Sequence, residues 1–338
     1  MMKYFKLFII VSIIVSLALF LHAIDFEKVM EAVKGIGSKF FILLFITFLS
    51  AILGTLSWRS CLGKQATAVS IGQLFLIRHI GEIASIFNPA GIVGGEALKV
   101  HLLCSSQNLE KKTVLASILV SRAIMIFTQL LLFCFVALWL FIPGLNLITV
   151  TNYSVYLILP GIGLLLIGLL FYFRSQIKVL ILSMRFGLAL KSKTAPLRTK
   201  LRELYKSMTG LYRSNKKAVI LASLYALLHW IIGAMEFYLI LTFLGIDVRV
   251  LQAILVDMGV IFFKTAGVFI PAQAGIEEYG NKIMLSIIGI RGAEIWIAAS
   301  ILRRARQLFW LTFGIGVYLC MYKTWTQRLQ EANGNIIR

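Results

Sequence analysis

The sequence predicts an all-α polytopic membrane protein, built as an inverted repeat of about six full spans plus two re-entrant helical hairpins, eight or more helices in all. Three observations carry that reading. Of 338 residues, 59% are hydrophobic, in runs long enough to place the chain in a bilayer rather than in water. The net charge is +20, and most of it sits in short loops, the positive-inside pattern. A nucleic-acid partner is therefore not expected. Finally, the chain matches itself when displaced by 182 positions.

The match is carried by kind rather than number. Leu62-Gly63 falls on Leu244-Gly245, Pro89-Ala90 on Pro271-Ala272, Glu96 on Glu278 and Arg122-Ala123 on Arg304-Ala305. Ala84, Phe87, Ala116 and Phe127 meet Ala266, Phe269, Ala298 and Phe309, which makes eleven of the identities over 66 positions. Pro, Glu and Arg are each costly inside hydrophobic sequence, yet all three recur in register. Internal repeats of this kind scaffold secondary transporters.

The first span covers residues 4–24. Lys3 and Lys6 precede an apolar run, and Leu21-His22-Ala23 is a poor cleavage site, so the segment is expected to stay as a signal anchor. Further full spans are expected at 39–60, 113–142, 153–173, 218–244 and 293–322, each with about the 20 residues a bilayer core requires. The whole chain, 1–338, reads as a single transmembrane domain. Repeat one covers about 39–142 and repeat two about 220–322, joined by span 153–173 and the loop 174–217. That loop carries twelve Lys and Arg against the single Glu203, which makes it cytoplasmic. Its start, 177–190, has the composition of a surface-lying segment.

The segments 67–104 and 249–290 do not read as plain spans. Each is an apolar arm ending at Pro-Ala, followed by a shorter, more polar arm. Gly91–Cys104 would rise only about 21 Å as helix, too little to cross. Each segment is therefore expected to enter and leave on one face, its broken backbone lining a cavity or buried in protein. Counting spans from a cytoplasmic N-terminus brings the hairpins in from opposite faces and leaves the C-terminus cytoplasmic. This is an alternating-access design. The parity is unchanged if the first arms cross fully.

The candidate site follows from charge at depth. Arg122 lies roughly 14 Å into its span, and Arg304 at similar depth in the other repeat. An arginine at the centre costs about 2.5–3.5 kcal/mol to insert, so both must face a partner or a cavity. One reading pairs Glu96 with Arg122 and Glu278 with Arg304 as architecture. The other has the arginines recognise an anionic phosphate. Around hairpin one, Arg78, Lys99 and Arg122 face Glu82 and Glu96, leaving one positive charge in excess. Around hairpin two, Lys264, Lys282, Arg303, Arg304 and Arg306 face Asp257, Glu277 and Glu278, leaving two. An anionic ligand would complete that set. Glu96 and Glu278 are placed just after the tips at Pro89 and Pro271, where a first-turn carboxylate suits the helix dipole and free N–H groups suit a phosphate. A buried carboxylate there is also a candidate proton carrier. Gly95 and Gly275, with Gly91 and Gly94, permit close approach or sharp turns. The substrate-binding set is thus Arg122, Arg304, Glu96, Glu278, Lys99, Arg303, Gly95, Gly275, Pro89 and Pro271.

No catalytic residue, metal site or cofactor is expected. There is no nucleotide loop, no HExxH and no Ser-His-Asp arrangement. Cys61, Cys104, Cys134 and Cys320 form no CxxC pair and read as apolar fillers. His79, His101 and His229 read as polar interface residues, and the tryptophans as anchors or packing.

The run Asn88-Pro89-Ala90-Gly91-Ile92-Val93-Gly94-Gly95-Glu96-Ala97-Leu98-Lys99, the later Pro271-Ala272-Gln273-Ala274-Gly275-Ile276-Glu277-Glu278, and Arg122 resemble the flippase-like, lysylphosphatidylglycerol synthase transmembrane-region family of bacterial and archaeal membrane proteins. The Gly-Gly-acidic run also resembles the hopanoid-associated members. The resemblance spans about 5–322. It implies movement of an anionic or phosphate-bearing lipid between leaflets in a bacterial inner membrane. The aminoacyl-transferase domain of the fused members is not seen, so lipid aminoacylation is not expected. The rivals are a non-catalytic assembly factor for envelope lipids and an intramembrane lipid-modifying enzyme.

Overall fold

The structure, a computed structural model, describes residues 26–87, 91–107, 109–141, 216–266 and 275–334. The expected spans 4–24 and 153–173, nearly all of the basic loop, and both tip prolines, Pro89 and Pro271, lie outside the described residues. Nine α-helices fill the described residues, with no strand among them. They are α1 (Phe26–Ile36), α2 (Lys39–Cys61), α3 (Ile71–Phe87), α4 (Gly91–Gln107), α5 (Lys111–Phe141), α6 (Lys216–Phe243), α7 (Val250–Ala266), α8 (Ile276–Ile287) and α9 (Ala293–Gly334). The protein is all-α and polytopic.

Helices α2, α5 and α6 are long and apolar enough to cross a membrane, with mean hydropathies of 2.3, 2.1 and 2.0 over their best windows. Their bounds agree with expectation to within about two residues. The expected span 293–322 is the start of α9, a single helix of 42 residues. Arg303, Arg304 and Arg306 interrupt its apolar run. Its C-terminal part extends beyond the sequence boundary because that boundary was set by hydrophobicity, and polar residues continue a helix well. Helix α1 was not expected. It is amphipathic, and Val29 packs with Ala305 and Leu311 of α9.

The repeat is visible as packing. Displacing α2 by 182 positions lays it on α6, and these two equivalent helices form the most extensive helix pair in the protein. Ser50 Oγ donates to the His229 carbonyl at 3.0 Å, and Ser57 Oγ to the Ala222 carbonyl at 2.9 Å. Seven residues forward on α2 is seven residues back on α6, so the pair is antiparallel. Equivalent elements that run in opposite directions are what an inverted repeat requires. Small residues, Ser50 against Gly233 and Ser57 against Ala222, bring the backbones close, which is how helices associate without a hydrophobic drive between them.

Each expected hairpin is an antiparallel helix pair. Along α3 and α4, Gln73 meets Gln107 at 2.7 Å, Gly81 lies against Lys99, and Ser85 against Gly95. Along α7 and α8, Gly259 lies against Met284, Gly280 against Phe263, and Lys264 reaches Glu277 at 3.1 Å. Helix α4 runs three residues beyond its expected end at Cys104, to Gln107. Ser105 and Ser106 turn their hydroxyls back onto the carbonyls of His101 and Leu103, so their polarity does not stop the helix. At about 25 Å, α4 remains shorter than a bilayer core.

One core runs through α2, α5, α6, α7, α8 and α9 around the fully buried Phe237, Leu241, Leu255, Met258, Leu285 and Leu302. A second joins α2, α3, α4 and α5 around Leu74, Ile77, Leu103 and Val114.

Candidate functional site

Between these cores lies a cavity of about 410 Å3, walled by α2, α3, α6, α7, α8 and α9. Its chemistry is concentrated on one face of α9. Residues 303, 306, 307 and 310 fall at helical spacing, so a single stripe of that helix carries Arg303, Arg306, Gln307 and Trp310 inward.

Each arginine of α9 meets a carboxylate from another helix. Arg303 is almost wholly buried. Its Nη1 donates to Asp257 Oδ1 at 2.8 Å, its Nε lies 2.9 Å from Glu277 Oε1, and its guanidinium sits 5.2 Å over the Phe237 ring. Glu277 Oε2 accepts from Lys264 at 3.1 Å and from Gln307 at 2.7 Å. Arg306 pairs with Glu236 of α6. Arg304 donates from Nε to Glu278 Oε1 at 2.9 Å and from Nη1 to Gln307 Oε1 at 3.2 Å. From repeat one, Arg78 enters the same cavity, donating to the Ala51 carbonyl at 2.6 Å and pairing with Glu82 at 2.9 Å. It fits because Gly54 presents no side chain where the guanidinium lies.

A smaller void of about 30 Å3 beside Arg78 and Glu82 belongs to repeat one. There Arg122 donates to Glu96 Oε1 at 2.5 Å, and Lys99 to the same oxygen at 3.2 Å. The two repeats thus share one ion pair in register, Arg122–Glu96 and Arg304–Glu278. In both, the second carboxylate oxygen, Oε2, is buried and makes no hydrogen bond among the described residues. The equivalents differ in exposure: the Arg122 side chain is 38% accessible and that of Arg304 11%.

The rest of the network breaks the repeat. Displaced by 182 positions, Arg303 falls on Ser121, Arg306 on Ile124, Asp257 on Phe75, Glu277 on Gly95 and Glu236 on Gly54. Repeat two supplies most of the cavity's charge, and repeat one supplies the room.

Of the residues singled out in the sequence, Arg303, Arg304 and Glu278 come together at the large cavity, and Arg122, Glu96 and Lys99 at the small one. Gly95 is buried in mid-helix against the Gly81 carbonyl and Ser85, a close approach as expected. Gly275 caps the start of α8 with φ +79°, a conformation that favours glycine. Glu96 does not sit in a first turn, because α4 begins at Gly91 and five residues precede the carboxylate. Glu277 and Glu278 do occupy the first turn of α8. The charge inventory also changes. Lys282 is exposed, and Glu236, not counted from the sequence, joins in. Around the two voids, Arg78, Lys99, Arg122, Lys264, Arg303, Arg304 and Arg306 then face Glu82, Glu96, Glu236, Asp257, Glu277 and Glu278, an excess of one rather than three. Glu236 did carry a signal: it is the lone charge in an apolar helix between Lys217 and Phe243, and such residues are functional by default. His229 and His79 are interface residues. His229 Nδ1 lies 2.7 Å from the Ser50 carbonyl, and His79 Nε2 donates to the Trp310 carbonyl at 2.9 Å.

The sequence model of the family described as the lysylphosphatidylglycerol synthase TM region matches residues 7–316, spanning both repeats and both voids. The chain belongs to this family. It is therefore an integral, multi-pass membrane protein of lipid metabolism or transport, and the match is to the family as a whole rather than to a subgroup. No curated protein and no solved structure matches the chain.

Proposed function

We propose that this protein is a lipid flippase, moving a phosphate-bearing or other anionic lipid between the leaflets of a bacterial inner membrane with both termini in the cytoplasm. The observation that supports it best is the cavity itself: about 410 Å3 lined by five cations against four carboxylates, inside an apolar helical body. A purely structural charge cluster has no need of such room.

In this reading Arg303, held by two carboxylates and almost fully buried, is the fixed floor. Arg304 and Arg122 are the exchangeable groups. An entering phosphate competes with Glu278 or Glu96 for the guanidinium, whose planar fork suits a bidentate phosphate contact. The released carboxylate then balances charge or takes a proton, through the oxygen that already lacks a partner among the described residues. Two such pairs in oppositely directed repeats give one exchange point for each access state. No step requires catalysis on the lipid.

The pairing of every one of these arginines supports a second reading, an assembly factor in which the ion pairs are architecture alone. Transfer of a fluorescent phosphatidylglycerol across reconstituted vesicles decides between them. The flippase reading expects accelerated transfer over protein-free vesicles, and transfer at the protein-free rate would leave the assembly reading.

A further inference from the structure

A third void, a groove of about 560 Å3, runs along the outside of α3 and α9, lined by Leu76, Phe309, Thr312, Phe313, Gly316 and Val317. One layer of rings separates it from the polar cavity. His79 and Trp310 line the cavity, and one turn further along the same helices Leu76 and Phe313 line the groove. The His79 and Trp310 rings lie 5.3 Å apart, and the Phe313 ring lies 5.7 Å from the first and 5.6 Å from the second. Trp310 is pinned by its indole N–H to Thr47 Oγ1 at 3.0 Å and its carbonyl receives His79. Aromatic side chains with a polar handle sit where apolar and polar surroundings meet.

A charged cavity and an apolar groove, joined through one aromatic wall, have the shape and polarity of one amphiphile. We propose that the groove between α3 and α9 holds a hydrocarbon chain of the lipid whose phosphate enters the cavity. This rests on the flippase reading and adds what it lacks: a place for the lipid's chain, and a sideways entry for the lipid, past His79 and Trp310. The glycines fit that role. Gly314 is buried against Ile83 and His79, closing α9 onto α3. Gly316, half a turn on, is exposed and a Cβ there would meet nothing within 4 Å. It leaves the groove open.

Gly316→Trp should therefore put a ring into the groove from a Cβ that meets nothing within 4 Å, and helix propensity favours the change by removing a glycine. The test uses the full-length protein in phosphatidylcholine nanodiscs with a phosphatidylglycerol bearing a photoactivatable acyl chain. The expected label falls on Leu76 and the 309–317 stretch, drops about tenfold, or about 1.4 kcal/mol, in Gly316→Trp, and is displaced by dihexanoyl phosphatidylglycerol. A diacylglycerol with the same chain, lacking the phosphate, should label the stretch several-fold less. Equal labelling by the two probes, or labelling unchanged in Gly316→Trp, would overturn the groove assignment alone. Groove label that dihexanoyl phosphatidylglycerol fails to displace would break the link to the cavity and, with it, the headgroup reading.

Discussion

Arg304 donates through Nε to Glu278 at 2.9 Å, and 182 positions earlier Arg122 donates through Nε to Glu96. The same atoms meet across the same 26-residue separation in both repeats. Each repeat surrounds that shared pair with charges of its own: Arg78, Glu82 and Lys99 in repeat one, and Glu236, Asp257, Lys264, Glu277, Arg303 and Arg306 in repeat two.

Gly95→Ala should destabilise the protein. The new Cβ would run into the Gly81 carbonyl and the Ser85 side chain, and the former is backbone that cannot swing away. Overpacking of this kind costs about 1–3 kcal/mol. A lower melting temperature in detergent is expected, with Gly316→Ala, which meets open space, close to wild type. Equal melting of the two variants would mean that α3 and α4 do not pack as closely as described.

Glu236→Gln should be the most damaging single change in the cavity wall. Arg306 would keep its charge and lose its partner, and breaking a buried pair costs about 3–5 kcal/mol. Glu236→Leu with Arg306→Leu removes both charges and should recover most of that loss. Thermal unfolding of the single and double variants checks the prediction. A double variant no better than the single one would show that the two residues are not coupled.

The overall plan was legible in the sequence because its signals are expensive ones. Pro, Glu and Arg recurring in register gave away the repeat, and the lengths of the apolar runs gave α2, α5 and α6. The shared ion pairs were legible too, since two buried charges at matched positions have few other partners. Three things were not. Helix α1 is amphipathic rather than apolar, so hydrophobicity did not find it. The convergence of α6 and α9 that pairs Glu236 with Arg306 is a tertiary contact across seventy residues, and pattern alone does not name partners. The arm's start at Gly91 was legible, but the place of Glu96 beyond the first turn was not: three glycines in five residues read as a turn, although Gly95 is spent on close helix packing.

The orientation proposed from the basic loop is open to a direct check. In a background lacking the four native cysteines, cysteines at Asn146 and Asp247 should react with an impermeant thiol reagent from outside the cell. Those at Lys193 and Gly334 should not. Outside labelling at Lys193 would reverse the whole topology, and outside labelling at Gly334 alone would remove the opposition of the two hairpins.

Arg122→Ala and Arg304→Ala should each abolish lipid transfer in reconstituted vesicles, with Arg→Lys giving partial activity because an ammonium lacks the guanidinium fork. Loss of activity in single variants does not separate ligand binding from architecture, since either change strands a buried glutamate. The double variants do. Glu278→Gln with Arg304→Gln removes both charges and should restore stability, and likewise Glu96→Gln with Arg122→Gln. The decisive measurement is transfer of fluorescent phosphatidylglycerol by these double variants at matched protein density. The flippase account predicts stable protein that stays inactive, because the phosphate has lost its guanidinium. Recovery of transfer in the double variants would contradict it and leave Arg122 and Arg304 as parts of the frame.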